Sequence, residues 1–128
     1  MKVKIFFLAM LAVLAAFAIA ASRPAAVDFS GTWLGKTEVP GSGIDELTLV
    51  LKKDKESYTG TVVDSLQMIV PWTEIQNVKV EGNVITLMFP LTDGNMISCT
   101  LTLAGGKMTG DWIHPEGSTG TIDFDKKE

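Results

Sequence analysis

Ser30-Gly31-Thr32-Trp33 is the first of four similar short stretches in this chain. Each stretch runs from a hydroxyl residue through a glycine and a Thr or Asp to a large apolar residue, and the other three occupy 59–62, 109–112 and 119–122. Thr, Trp, Val and Ile favour strands, whereas a glycine inside a strand marks a bend or a close approach of backbones. A sheet needs such bends to roll up and close. The repeated motif therefore predicts a small β-barrel.

The N-terminal segment 1–21 has the composition of a secretory signal peptide. Lys2 and Lys4 precede an almost unbroken apolar run, which ends at Ala18-Ile19-Ala20, and this order of basic, apolar and small residues is typical of such leaders. We expect cleavage near residue 21, which leaves no membrane anchor, and a secreted or periplasmic protein. A retained membrane span is the alternative, because the run is long enough to cross a bilayer. Residues 22–29 would then form a tether before a barrel at 30–125.

The mature chain is acidic and contains one cysteine. Without Lys2 and Lys4, nine basic residues remain against 15 acidic ones, whereas binding to nucleic acid relies on clustered Lys and Arg. Cys99 is the only cysteine, and its alternation with Ile97 and Leu101 predicts a buried structural thiol. We therefore expect one domain with one core and no nucleic-acid partner.

Short strand-like runs alternate with turn residues from residue 30 onward. Several links between the runs are very short, so consecutive strands should pair antiparallel as hairpins. No segment has the spacing of an amphipathic helix. The pattern predicts an all-β domain, an eight-stranded antiparallel up-and-down barrel, with a two-sheet sandwich as the alternative. The predicted strands are 30–38, 44–53, 57–65, 73–81, 83–90, 95–104, 106–113 and 118–125.

Alternation of period two assigns the faces of these strands. The glycine and the last residue of each motif lie two positions apart, so they share a face, which we place inward. Tyr58, Met108 and Phe124 join that face by parity. A small-large alternation suits the crowded interior of a small barrel. The inward apolar residues of the four motifs are Trp33, Val62, Trp112 and Ile122.

The residue types of a catalytic or metal site do not occur at the required spacing. His114 is the only histidine and lies beside Pro115 at a strand end, where we expect a solvated side chain. Asp45 and most other carboxylates are expected at turns and on outer faces, whereas parity places Asp64 inside the barrel or at its mouth. We expect no enzymatic activity, no metal and no cofactor.

The stretch 64–72 differs from the other links because it is largely apolar. Leaving its large side chains in water would cost about 1.5–3 kcal/mol each, so they must cover something. The stretch either plugs one end of the barrel or forms a lid over an apolar pocket or a contact for a partner protein. Its large apolar residues are Leu66, Met68, Ile69, Val70 and Trp72.

These features resemble the lipocalin and avidin superfamily of small up-and-down barrels. Gly31-Thr32-Trp33 looks like the Gly-x-Trp of the first strand in that superfamily, and the stretches 59–62 and 109–112 are similar to the Thr-Gly-Thr-aromatic strands of avidins. A closer resemblance, over 29–125, is to lipocalin-like domains of exported bacterial proteins. The resemblance implies a calycin-type barrel without naming a ligand. Biotin binding is not expected, since Val62 replaces the aromatic residue of avidins.

Two functional hypotheses follow. In the first, the domain is a noncatalytic extracytoplasmic module that binds a small apolar ligand. In the second, a barrel with a solid core contacts an envelope protein through the exposed side of 66–72, as an accessory or inhibitor domain. A void on the order of several hundred cubic ångströms would favour the first. The predicted ligand-binding residues are Trp33, Tyr58, Asp64, Met68, Trp72 and Trp112.

Overall fold

The computed structural model describes residues 27–127, which form nine strands and no helix. The predicted signal peptide, 1–21, and residues 22–26 of the predicted tether lie outside the described residues. No helix of the described part is long and apolar enough to cross a membrane. The strands are β1 (Gly31–Val39), β2 (Gly43–Asp54), β3 (Ser57–Asp64), β4 (Thr73–Glu74), β5 (Gln76–Glu81), β6 (Val84–Pro90), β7 (Met96–Ala104), β8 (Lys107–Ile113) and β9 (Thr119–Lys126).

All strands belong to one antiparallel sheet in the order β4-β3-β2-β1-β9-β8-β7-β6-β5. Neighbours in the sheet are consecutive in the chain except β1 and β9, which pair with each other and so bring the first and last strands together. The result is an all-β, up-and-down, nearly closed antiparallel barrel. This confirms the predicted fold class.

The barrel approaches closure where β3 and β4 meet β5 and β6. The Ile75 N–H donates a hydrogen bond to the Gly60 carbonyl at 3.0 Å. Ile69, in the link after β3, forms an isolated antiparallel bridge with Leu91, just after β6. Separate contacts therefore hold this seam, and β4 and β5 remain the two edges of the sheet.

The prediction of eight strands is wrong by one, because the predicted strand 73–81 is two strands. Ile75 separates β4 from β5, buries its side chain and bonds through its N–H to β3, whereas β5 pairs with β6. Asn77 has a φ of 50°, and the register of β5 against β6 shifts between Gln76 and Lys79. The chain thus changes its pairing partner from β3 to β6 within the segment 73–81, although the composition of this segment predicts one continuous strand.

The predicted inward face is confirmed. The last residues of all four motifs are buried, together with Tyr58, Met108 and Phe124. The leucines of β2 and the leucines and isoleucines of β6 and β7 alternate with more exposed residues and complete the same core. Period-two alternation therefore identifies the interior of the barrel correctly along most of its strands.

Two motif glycines lie where neighbouring strands approach very closely. Gly60 is opposite Leu51 of β2, and Gly110 is opposite Leu101 of β7. A Cβ atom at either glycine would overlap the carbonyl oxygen of the residue that precedes the opposite leucine. Only glycine fits at these two positions, and the close approach lets both hairpins bend tightly.

Two other inward glycines lie under aromatic rings. A Cβ atom at Gly120 would lie 2.6 Å from the indole of Trp112, and one at Gly35 would overlap the ring of Phe124. Each ring therefore occupies the space that a side chain on the neighbouring strand would need. This is the small-large alternation expected inside a small barrel.

One end of the barrel, the packed end, is filled by Phe29, Trp33 and Tyr58. The Phe29 N–H donates to the Tyr58 hydroxyl at 3.0 Å, and the Trp33 Nε1–H donates to the Phe29 carbonyl at 2.9 Å. The rings of Phe29 and Tyr58 meet edge to face at 5.6 Å, and Lys126 Nζ lies 5.7 Å from the Trp33 ring. Phe29, the last residue of the predicted tether, therefore belongs to the core.

Replacing Gly110 by Ala should destabilise the barrel. The added methyl group meets a backbone carbonyl of β7 rather than a movable side chain, so we expect a loss of about 2–3 kcal/mol in the free energy of unfolding. Urea unfolding measures this loss. Gly106→Ala is the matched control, because nothing lies within 4 Å of a Cβ there. Equal effects of the two substitutions would contradict the close approach.

Candidate functional site

The opposite end of the barrel, the open end, contains a cavity of about 340 Å³ that opens to solvent. It lies among the turns that follow β1, β6 and β8 and the link 65–72 that follows β3. Its floor consists of buried apolar side chains. The interior is therefore filled at one end and hollow at the other. The floor residues are Leu47, Phe89, Ile97, Cys99, Trp112 and Ile122.

The link 65–72 forms one wall of the cavity through Met68 and Ile69. Asp64, at the end of β3, accepts hydrogen bonds from the N–H groups of Met68 and Ile69 at 3.0 and 3.1 Å. From the other side, the Thr92 N–H donates to the Met68 carbonyl at 2.8 Å. The link is thus tied both to β3 and to the turn between β6 and β7. The interpretation of this link as a cover for one end of the barrel agrees with its position.

Asp45 lies inside the barrel, so the expectation of an outer position is wrong. Its side chain is 3% exposed, and its Oδ1 accepts hydrogen bonds from the Ser65 hydroxyl at 3.2 Å and the Leu66 N–H at 3.0 Å. Burial, followed by hydrogen-bonding contact with the Asp64 carboxyl, raises the pKa of Asp45 to about 6.

A chain of hydrogen bonds fixes the Trp112 ring in the floor. The Trp112 Nε1–H donates to Thr37 Oγ1 at 2.8 Å, and the Thr37 hydroxyl donates to the Thr121 carbonyl at 2.6 Å. The polar atom of the indole is therefore satisfied within the protein. The Trp112 ring therefore presents its apolar surface to the cavity.

His114 lies at the rim with its side chain 12% exposed, so it is not the solvated residue that its position in the sequence suggests. Its Nε2 is 3.0 Å from Asp93 Oδ2, and its Nδ1 accepts from the Glu116 N–H at 3.1 Å. Since Nδ1 is an acceptor, Nε2 carries the proton that Asp93 accepts. The Asn95 N–H and then His114 lower the pKa of Asp93.

Cys99 is the buried structural thiol that alternation predicts. It is 2% exposed, and burial raises the pKa of its thiol to about 12. The thiol therefore stays protonated at neutral pH, where only a thiolate would be a good nucleophile or metal ligand. Its contribution to the cavity is apolar surface.

Three of the predicted ligand-binding residues lie at the open end. Met68 and Trp112 line the cavity directly. Asp64, 7% exposed, lies beside Asp45 and holds the link. The Asp64 oxygens accept hydrogen bonds from backbone N–H groups of the link, so Asp64 supports the cavity wall.

The other three lie elsewhere. Trp33 and Tyr58 belong to the packed end and do not line the cavity. Trp72 is 62% exposed and has a φ of 52°, a conformation that bulky residues rarely adopt. The structure thus divides a set of residues that the sequence suggested as one site.

Asp45 and Thr37 are cavity residues that the sequence interpretation missed. The signal was present in the alternation, because Asp45 lies two residues before Leu47 and Thr37 lies two residues after Gly35. The two polar residues are also paired in register between β1 and β2. The expectation that polar residues beside a turn face water concealed this signal.

No protein-family model and no curated protein matches this chain. Its function must therefore be inferred from the geometry of the cavity. Within residues 27–127, no three His, Cys, Asp or Glu side chains come together in the manner of a metal site. The chemical groups at the open end are an apolar floor, a carboxyl pair and a rim of hydroxyl, imidazole and carboxylate groups.

Replacing Asp45 by Asn should alter the pH dependence of stability. Folding raises the pKa of this carboxyl from 3.8 to about 6, so the folded protein binds more protons than the unfolded chain between these values. The contribution of Asp45 to the free energy of unfolding therefore falls as the pH rises through this window. Relative to wild type, Asp45→Asn should become progressively more stable from pH 4 to pH 6.5 in urea unfolding experiments. A difference that stays constant with pH would contradict the raised pKa.

Replacing Asp64 by Ala should loosen the cavity wall. Two buried N–H groups, those of Met68 and Ile69, would lose their acceptor, at a cost of about 1–3 kcal/mol for each unsatisfied group. Amide hydrogen exchange should accelerate at these two residues and stay slow at Leu101 in the core. Asp125→Ala removes an exposed carboxylate and serves as the control, with unchanged exchange in the link. Unchanged protection in Asp64→Ala would contradict this support.

Proposed function

We propose that this protein is a noncatalytic binding module that holds a small, largely apolar molecule in the cavity at the open end. The observation that carries the proposal is the unequal filling of the barrel. Phe29, Trp33 and Tyr58 fill the packed end, whereas about 340 Å³ stays open beside a buried apolar floor. Protein interiors are otherwise packed almost as densely as organic crystals. The cavity at the open end is therefore best explained as the binding site of a ligand.

The size and lining of the cavity support this proposal. Ligand pockets measure about 300–1,000 Å³ and combine mostly hydrophobic walls with a few polar groups. The cavity, at about 340 Å³, belongs to the small end of that range. Leu47, Phe89 and Ile122 supply apolar walls, and Asp45 and Thr37 supply polar groups among them. A compact molecule with one polar end suits this lining.

The chemistry of the rim favours binding over catalysis. Nucleophilic catalysis needs a nucleophile in hydrogen-bonding contact with a base. The His114 ring is engaged by Asp93 and by the Glu116 backbone, and the Asp64 carboxylate is engaged by the link. The Cys99 thiol, with a pKa raised to about 12, is a poor nucleophile. His114 and Asp64 thus serve structural roles, and Cys99 is a poor nucleophile.

Membership of the lipocalin and avidin superfamily and an extracytoplasmic location are part of the proposal. The nearly closed up-and-down barrel is compatible with a calycin-like fold, and Gly31-Thr32-Trp33 stands at the start of its first strand. The leader-like composition of 1–21 supports export. The acidic excess of the chain supports a partner other than nucleic acid.

Filling the cavity should abolish binding. The neutral fluorophore N-phenyl-1-naphthylamine is expected to brighten on entering the wild-type cavity. Ile97 lies in the floor and is 9% exposed, so Ile97→Phe should weaken binding by about tenfold or more, the equivalent of roughly 1.4 kcal/mol. Fluorescence titration measures the affinity.

The matched control for this experiment is Ile113→Phe. Ile113 is 58% exposed and lies outside the cavity, so the same substitution there should leave the affinity unchanged. Both variants need an unchanged circular dichroism spectrum. Absence of binding to wild type, or equal binding by Ile97→Phe, would contradict the proposed function.

Exposed apolar residues on the link support a second candidate function, contact with an envelope protein. Val70 and Trp72 are 38% and 62% exposed, and Pro71 lies between them. Ile69 is 3% exposed and faces the cavity, so the surface hypothesis is tested at Trp72 instead. Trp72→Ser should release a partner captured from an envelope extract and leave fluorophore binding intact. Retention of the partner by Trp72→Ser would count against this candidate.

A further inference from the structure

The carboxyl pair of Asp45 and Asp64 has four oxygens, and the protein supplies donors to three of them. The two oxygens of Asp64 accept from the N–H groups of Met68 and Ile69. Oδ1 of Asp45 accepts from the hydroxyl and the N–H group at the start of the link. Among residues 27–127, no N–H or hydroxyl group donates to Oδ2 of Asp45, and the neighbouring Asp64 carboxyl contacts Asp45 as a second acid. When the carboxyl pair holds no proton, Oδ2 is left to a donor from outside the described chain.

The Oδ2 atom of Asp45 faces the cavity. Asp45 lines the cavity and is 3% exposed. No side-chain oxygen or nitrogen sealed inside the described part of the protein lacks a hydrogen-bond partner. The unpartnered Oδ2 must therefore be the atom through which Asp45 reaches open space. A largely buried carboxylate oxygen without a donor is unfavourable, which agrees with the raised pKa of Asp45.

The electrostatics of the cavity lining favour a positively charged donor. None of the residues that line the cavity is Lys or Arg, whereas Asp93 lies at its rim. On the neighbouring strand β1, Lys36 faces outward and pairs with Glu46 at 4.0 Å. A ligand carboxylate would meet like charge here and an ammonium group would meet acceptors.

We propose that the cavity takes a molecule with an apolar body and a primary ammonium end, which donates a hydrogen bond to Oδ2 of Asp45. The apolar body lies on the floor beside Trp112, and the ammonium group lies toward the link. This assignment rests on the proposed function and names the ligand class of the same site.

Three probes of equal chain length separate the ligand classes: decylamine, decanol and decanoate, each below its micelle concentration. Trp112 lies in the floor, so tryptophan fluorescence and calorimetric titration both report occupancy. At pH 7.5 the amine should bind about tenfold or more tightly than the alcohol, because a charge-assisted hydrogen bond is considerably stronger than a neutral one. Decanoate should bind most weakly.

Acidification provides an independent test. Lowering the pH from 7.5 to 5 protonates Asp45, whose pKa is about 6, so the affinity for decylamine should fall while that for decanol stays constant. The other titratable groups near Asp45 are Asp64 from β3 and Asp93 and His114 at the rim. The alcohol controls for their effect on the apolar part of the cavity.

The variant Asp45→Asn keeps the shape and the Oδ1 acceptor while removing the charged oxygen. It should lose the preference for amine over alcohol and the pH dependence of that preference. Glu46→Gln is the matched control, because it removes the same charge from the next residue, which faces outward, and the amine preference should persist.

The outcomes separate the two proposals. Equal binding of amine and alcohol by wild type would overturn the ammonium assignment and leave the binding function standing. An amine preference that survives in Asp45→Asn would also overturn it. Failure of all three probes to bind would overturn both proposals. The wild-type comparison does not depend on the folding of any variant.

Discussion

Close approach of neighbouring strands at Gly60 and Gly110 is the constraint on which the curved hairpins of this barrel depend. Because a carbonyl oxygen of the adjacent strand occupies the place of a side chain at each glycine, the hairpins β2–β3 and β7–β8 bend tightly. Three aromatic residues fill the packed end of the barrel that these hairpins help to form. Phe29 and Tyr58 meet edge to face there, and Trp33 is hydrogen-bonded to the Phe29 carbonyl. Aromatic side chains thus fill one end of the barrel, whereas about 340 Å³ stays open at the other.

The open end differs because it contains buried polar residues beside its apolar floor. Thr37, Asp45 and Asp64 are the buried polar residues of the described chain, and they lie near the ends of β1, β2 and β3 at the open end. Their hydrogen bonds are directed to the Trp112 ring, to the link and to the neighbouring backbone. An apolar cavity with one unpaired carboxylate oxygen results.

The sequence predicted the fold better than the site, for physical reasons. Burial alternates with period two in a strand, so the motifs at 30–33, 59–62, 109–112 and 119–122 were sufficient to predict an up-and-down barrel and its core. The division of 73–81 into two strands depends on a tertiary hydrogen bond from Ile75 to Gly60, which no local pattern reveals. Parity places Asp45 inside the barrel, but the general preference of carboxylates for water predicts a position on the surface. Trp33 and Trp112 look alike in sequence, and only the three-dimensional arrangement distinguishes the packed end from the cavity.

The central claim is that the open end of the barrel is a binding site and the packed end is not. Nuclear magnetic resonance mapping of backbone amides during a titration with decanol tests this most directly. Amide shifts should concentrate at Ile97, Cys99, Trp112 and Ile122, which line the cavity, and be negligible around Phe29 in the packed end. Shifts confined to the exposed Val70–Trp72 surface, or no saturable shifts at all, would contradict the account.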